Sequence, residues 1–128
     1  MAGARILIVD DNATNLKLVA YLMTANGYEV ATALDADAAI ESIRRRRPDV
    51  ILMDLQLPGT DGLALTRKLK ADPETQGILI VAVTAYAMTG DRERAVAAGC
   101  DDYVTKPIDT RALPQTIAMH LGKRAVTS

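Results

Sequence analysis

Two kinds of apolar run alternate along the chain. Arg5-Ile6-Leu7-Ile8-Val9 is short and β-branched, which predicts a buried strand. Leu16, Val19, Ala20 and Met23 then recur at helical spacing, and Asn26-Gly27 supplies a stop. Residues 29–33 predict a weaker second strand, and Asp35 is placed to cap a helix whose apolar face is Ala36, Ala39, Ile40 and Ile43. Pro48 ends that helix, because the residue before a proline is pushed out of the α region. Val50-Ile51-Leu52-Met53 is apolar without alternation, the mark of a strand covered on both faces.

The same alternation continues to the end. A turn-rich stretch, Pro58-Gly59-Thr60-Asp61-Gly62, leads into a helix with Leu65 and Leu69 inward that stops near Asp72-Pro73. Residues 78–83 predict the fourth strand, 92–98 a helix ending at Gly99, and 102–105 a short fifth strand. Thr110 is placed to cap a last helix carrying Leu113, Ile117 and Leu121, with Pro114 confined to its first turn. The order is β then α, five times. That predicts an α/β fold, a doubly wound (βα)5 three-layer sandwich with a parallel sheet and helices on both faces. Residues 1–122 read as one domain and 123–128 as a short, frayed C-terminal tail.

Composition narrows this picture. The 128 residues suit a single domain. Ala fills 21 positions, with no Phe, no Trp and four Tyr, so the core must be aliphatic. The net charge of −1 argues against a generic nucleic-acid binder. One Cys excludes an internal disulfide and a Cys-rich zinc site, and one His excludes a two-histidine metal site. Residues 6–9 are too short an apolar run for a signal peptide, and no run approaches a membrane span. The expectation is a cytoplasmic protein without membrane insertion.

In an open parallel sheet, ligands bind beyond the carboxyl ends of the strands. Asp10 and Asp11 follow the first strand, Asp54 the third, Thr84-Ala85 the fourth and Lys106-Pro107 the fifth. With strand order 2-1-3-4-5, the first and third strands are neighbours, and Asp10, Asp11 and Asp54 meet. Carboxylates that close repel one another without a cation. Such oxygen ligands suit Mg²⁺. Lys106 adds a point charge suited to a phosphate oxygen. An aspartate beside a metal, a lysine and a hydroxyl can act as a nucleophile towards a phosphoryl group.

This constellation resembles the receiver domain of two-component response regulators, with its flavodoxin/CheY-like fold, over essentially the whole chain. The resemblance implies that Asp54 accepts a phosphoryl group from a histidine kinase or histidine phosphotransfer protein. It implies Mg²⁺ held by Asp11, Asp54 and the Gln56 main-chain carbonyl, with Asp10 acting largely through water. It implies Lys106 and Thr84 on the phosphoryl oxygens, a cis Lys106–Pro107 peptide, and a switch in which Thr84 swings inward and Tyr103 fills the space it leaves. The expected partner surface is the face formed by the fourth helix, fifth strand and fifth helix. Asp54-Leu-Gln-Leu-Pro and Val83-Thr-Ala-Tyr-Ala-Met-x-Gly-Asp are most similar to the DivK-like single-domain regulators of bacterial cell-cycle control. The same motifs occur in receivers attached to hybrid kinases and diguanylate cyclases. Leu57 departs from the Met that many receivers carry before the Pro, with no mechanistic effect expected.

Each residue also has a plainer reading. Asp10-Asp11 alone could be a helix cap, and Tyr103 alone a core residue. Gln56, Ala85 and Tyr86 stand where phosphoryl lifetime or partner contact is tuned, and Tyr86 could equally be an exposed tyrosine without a role. Arg44 to Arg47 reads as a solvated helix end whose cations complement the helix dipole rather than as a nucleic-acid patch. Cys100 reads as a structural thiol and His120 as a helix-surface residue.

A Mg²⁺-dependent aspartyl-phosphate phosphohydrolase is the competing enzyme class. It needs a second acid and a cap over the substrate, and no insertion here is long enough for a cap. A flavin or nucleotide site after the first strand would need a glycine-rich loop, where this chain has Asp-Asp-Asn. The Met1 start and short tail are those expected of a stand-alone switch rather than an excised domain.

Overall fold

The computed structural model describes residues 3–57, 60–84, 91–106 and 108–127. Its main sheet has five parallel strands: β1 (Arg5–Val9), β2 (Glu29–Ala33), β3 (Val50–Asp54), β4 (Leu79–Thr84) and β5 (Asp102–Thr105). Their spatial order is β2-β1-β3-β4-β5, as the sequence predicts. Between them lie α1 (Ala13–Ala25), α2 (Ala36–Arg45), α3 (Gly62–Ala71) and α4 (Asp91–Ala98), and α5 (Ala112–Thr127) ends the chain.

The strand period of two divides the core into two aliphatic layers. Leu7, Val9, Ile51, Met53, Ile80 and Ala82 face α2, α3 and α4, meeting Ala39, Ile43, Leu65, Leu69 and Ala95. Ile6, Ile8, Val50, Leu52, Val81 and Val83 face α1 and α5, meeting Leu16, Val19, Met23, Leu113 and Ile117. β3 is buried along its whole length, because helices cover both of its faces. Its apolar run without alternation is the sequence trace of that position.

Local chemistry sets the element ends. The Asp35 side chain accepts a hydrogen bond from Ala38 N at 2.8 Å and caps α2. Gly27 and Gly99 follow α1 and α4 with φ of +90° and +106°, conformations that favour glycine.

Four local expectations need correction. The cap of α5 is Asp109, whose Oδ1 accepts from Arg111 N at 2.9 Å and Ala112 N at 3.1 Å, rather than Thr110. The carboxylate one residue earlier reaches both free amides. α5 runs on to Thr127, so residues 123–127 continue the helix rather than forming a separate tail. The lone Gly122 costs only about 1 kcal/mol in a helix interior, too little to end it. The turn-rich stretch contains a short antiparallel ribbon, Gln56–Leu57 against Thr60–Asp61, and α3 starts directly after it. Lastly, His120 is not a bare surface residue: its Nε2 lies 2.8 Å from Asp102 Oδ2, tying α5 to the start of β5.

Burial raises the Asp102 carboxyl, but the His120 hydrogen bond, the Tyr103 amide and the nearby Arg92 charge outweigh it and hold the group below its ordinary 3.8. A carboxyl depressed in the folded state contributes stability above its unfolded value and loses it as pH falls through the folded one. Asp102→Asn is therefore expected to flatten the acid side of the stability profile. Urea midpoints at pH 6 and pH 3 check this, and the wild-type chain should lose more between them than the variant.

Candidate functional site

The register of the sheet assembles the site. Val9 pairs with Met53, so the residues that follow them, Asp10 and Asp54, are carried to neighbouring positions at the carboxyl rim. Asp54 is the last residue of β3 and Thr84 the last of β4, so both belong to strands rather than to the loops after them. Thr84 pairs with Thr105, and Lys106 comes next, its amide donating to the Thr84 carbonyl at 2.7 Å. From β5 to β3 is two strand spacings, about 10 Å. A lysine side chain and the aspartate side chain that meets it cover that distance together.

They do so here. Lys106 Nζ lies 3.2 Å from Asp54 Oδ2 and 3.2 Å from Asp10 Oδ2. One oxygen each of Asp10, Asp11 and Asp54 lie within 4.8 Å of one another. Asp54 is 2 % exposed and Asp10 6 %, whereas Asp11 is exposed. Burial opposes charge on Asp10, but hydrogen bonds from the Asn12 amide (2.9 Å) and Asn15 Nδ2 (2.7 Å), with the Lys106 charge, hold its carboxyl below the usual range. Burial pulls the Lys106 ammonium down, and its bonds and attraction to Asp54 and Asp10 more than reverse this. Asp10 and Lys106 thus stay charged, and the three carboxylates are oxygen ligands of the kind a hard cation such as Mg²⁺ takes.

Of the residues the sequence singles out, Asp10, Asp11, Asp54 and Lys106 converge, and Thr84 sits buried at the end of the adjoining strand. Gln56 lies in the ribbon, two residues beyond Asp54. Tyr103 is part-buried and packs with the α2–α4 layer. It pairs with Ala82, two residues before Thr84, so strand alternation puts Tyr103 and Thr84 on the same sheet face. Ala85, Tyr86, Pro107 and the Gln56 side chain lie outside the described residues, and with them the cis peptide. Cys100 is buried, and burial raises its thiol, in keeping with a structural role.

Three supporting residues escape the sequence reading. Asn12, not the aspartates, caps α1: its Oδ1 accepts from Asn15 N at 3.0 Å. Asn15, one turn into α1, holds Asp10. The only trace of this pair in the sequence is Asn-x-x-Asn after the strand. Gly62 is the third. A Cβ there would stand 2.5 Å from the Asp54 carbonyl oxygen and 2.8 Å from the Leu55 Cα. The start of α3 rests on the backbone of Asp54 itself.

These features define a class of α/β domain that carries a carboxylate cluster and a lysine at the carboxyl rim of its parallel sheet. The chain belongs to the response regulator receiver domain family, which residues 6–118 match. The polar-differentiation response regulators DivK of Brucella anthropi and Brucella ovis are 44% identical over 117 residues, covering 91% of this chain and 95% of theirs. A CheY-like receiver domain protein from Methanospirillum hungatei JF-1 superposes with a TM-score of 0.91 at 29% identity, covering 99% and 100% of the two chains. The receiver domain of the sensor histidine kinase PA1611 from Pseudomonas aeruginosa PAO1 has a TM-score of 0.85 at 37% identity, covering 94% and 99%. That neighbour holds a magnesium ion coordinated in its active site cleft.

Two glycines make a paired test of this geometry. Gly62→Ala forces the Asp54 backbone aside and is expected to destabilise by about 1–3 kcal/mol. Gly122→Ala, with nothing within 4 Å of its new Cβ, is expected to stabilise α5 by about 0.5–1 kcal/mol. Urea unfolding of both variants gives the comparison.

Proposed function

We propose that this chain is a phosphorelay switch: Asp54 accepts a phosphoryl group from a histidine kinase or histidine phosphotransfer protein, and the phosphorylated form changes its protein contacts. The observation that carries this is one buried aspartate whose Oδ2 lies 3.2 Å from a lysine ammonium, beside two more carboxylates. An Asp54 oxygen forms the new P–O bond as the P–N bond of the donor breaks and the imidazole nitrogen keeps the electron pair. Asp10, Asp11 and Asp54, with the Gln56 main-chain carbonyl, would hold Mg²⁺, which neutralises the charge of the transferring group when bound. Lys106 supplies a second positive charge to the phosphoryl oxygens, and Thr84 a hydroxyl donor. The residues fit the ion, because three carboxylate oxygens are already clustered and Asp10 is held charged.

Phosphorylation adds roughly −1 to −2 charge. Moving a two-state equilibrium from mostly off to mostly on requires about 5 kcal/mol of differential interaction. A few charge-assisted hydrogen bonds from Lys106 and Thr84 supply energies of that order. Tyr103, on the Thr84 face of the sheet, relays the change towards α4, β5 and α5. The partner surface on that side carries two exposed apolar residues, Val96 on α4 and Met119 on α5. The DivK relatives support a role in bacterial cell-cycle or developmental control, with the histidine kinase or phosphotransfer protein as donor and a protein as target. The receiver family supports a cytoplasmic location. Among the described residues, no helix is long and apolar enough to cross a membrane. Receivers act as regulators, so the only reactions assigned are self-catalysed phosphoryl transfer and loss.

Labelling with acetyl phosphate tests the acceptor. Wild-type protein should take up one phosphoryl group per chain in the presence of Mg²⁺ and none after chelation, and Asp54→Asn should take up none. Retained single-site labelling in that variant would sink the proposal. Thr84→Ala should still be labelled but should lose most of the phosphorylation-dependent change in partner affinity. A partner titration with and without phosphorylation reads this out, and an undiminished change would remove Thr84 from the switch.

A further inference from the structure

A second polar concavity lies away from the carboxylates. It opens between the carboxyl-terminal halves of α2 and α3, the helices that lead to the amino ends of β3 and β4. It therefore sits towards the opposite rim of the sheet from Asp10 and Asp54. Its volume is about 560 Å³, a size typical of small-molecule sites. Ile43, Leu65 and Leu69, all buried, form an aliphatic floor.

Charge around this floor is divided. α2 and the residues after it contribute Arg44 and Arg47, and α3 contributes Lys68. Asp72 and Glu74 line the cleft beyond the end of α3. Among the described residues, Arg44, Arg47 and Lys68 make no ion pair, with these two carboxylates or with any other. Their neighbours in the basic run do pair: Arg46 with Glu29 at 2.6 Å and Arg45 with Glu41 at 3.8 Å. The helix-dipole reading covers all four arginines alike and does not separate these two groups. The Arg47 guanidinium lies beside the Gly77 backbone, its Nη2 2.8 Å from where a Cβ there would stand.

We propose that this cleft binds a nucleoside phosphate. Arg44, Arg47 and Lys68 take the phosphate, for which guanidinium groups offer paired donors. The base lies on the aliphatic floor. The amino and hydroxyl hydrogens of base and sugar face Asp72 and Glu74, which only accept. Inorganic phosphate satisfies the three cations and leaves the floor and the two carboxylates unused. An acidic peptide adds carboxylates next to Asp72 and Glu74.

Amide chemical-shift titration of the full chain tests this. It is run with chelator present, so that no metal can draw phosphate to Asp54. The probes are AMP, GMP, adenosine, inorganic phosphate and a glutamate-rich peptide. AMP or GMP should give saturable shifts confined to residues 40–47 and 65–77, with adenosine and inorganic phosphate at least tenfold weaker. Arg44→Gln with Arg47→Gln should weaken the nucleotide at least tenfold at an unchanged unfolding midpoint. If that pair disturbs the fold, Lys68→Gln provides the same reading. No saturable shift with either nucleotide overturns the proposal. So do equal binding of inorganic phosphate, tighter binding of the peptide, or shifts centred on residues 10, 11 and 54.

Discussion

Everything at the carboxyl rim depends on one ammonium placed between two buried carboxylates. Lys106 reaches back across β4 to lie 3.2 Å from both Asp54 and Asp10. Without it, two carboxylates of 2 % and 6 % exposure would face each other and the exposed Asp11 with no opposite charge. The strength of the arrangement comes from its incompleteness. One cation for three carboxylates leaves a net negative centre, of the kind that suits a hard divalent ion. A second lysine would still leave one carboxylate uncompensated, though with a weaker pull on a divalent ion. The scaffold serves this geometry: the parallel register brings Asp10 beside Asp54, and the Lys106 and Asp54 side chains together close the gap from β5.

Most of this was legible in the chain before any coordinates. Strands buried on both faces announce themselves by unbroken apolar runs, as residues 50–53 do. Parallel strands joined by helices leave few possible topologies, and ligands gather at one rim of them. Those two rules carry Asp10, Asp11, Asp54, Thr84 and Lys106 to one region, and the structure clusters the three aspartates, sets Lys106 against Asp10 and Asp54, and buries Thr84 at the end of the adjoining strand. The strand order needed a resemblance as well, because periodicity alone does not say which strands are neighbours.

What stayed hidden are contacts made by residues with ordinary alternative uses. Asn15 reads as a polar position on the first turn of a helix, and only the fold shows its amide on Asp10. Gly62 reads as the end of a turn, yet its missing Cβ is required because α3 starts against the Asp54 carbonyl. His120 reads as helix surface because Asp102, its partner, is 18 residues away in the chain. Thr110 and Asp109 are both good caps, and composition does not choose between adjacent candidates. In each case the missing information is a distance between residues far apart in sequence, or a choice between neighbours that differ by tenths of a kcal/mol.

The near-neutral composition now has a spatial meaning. The net charge of −1 conceals a carboxylate cluster at one rim and, near the other, three cations that make no ion pair among the described residues. The scarcity of aromatics has one too. Tyr103 is the only ring in β5, and it shares a sheet face with Thr84 while its register partner is Ala82. A β-branched residue in place of Ala82 would fill the surface between the ring and the hydroxyl. Alanine keeps that surface low. In a core built from aliphatic side chains, no neighbouring strand offers another ring to take that space. The proposed coupling between site and partner face therefore rests on a small residue as much as on a large one.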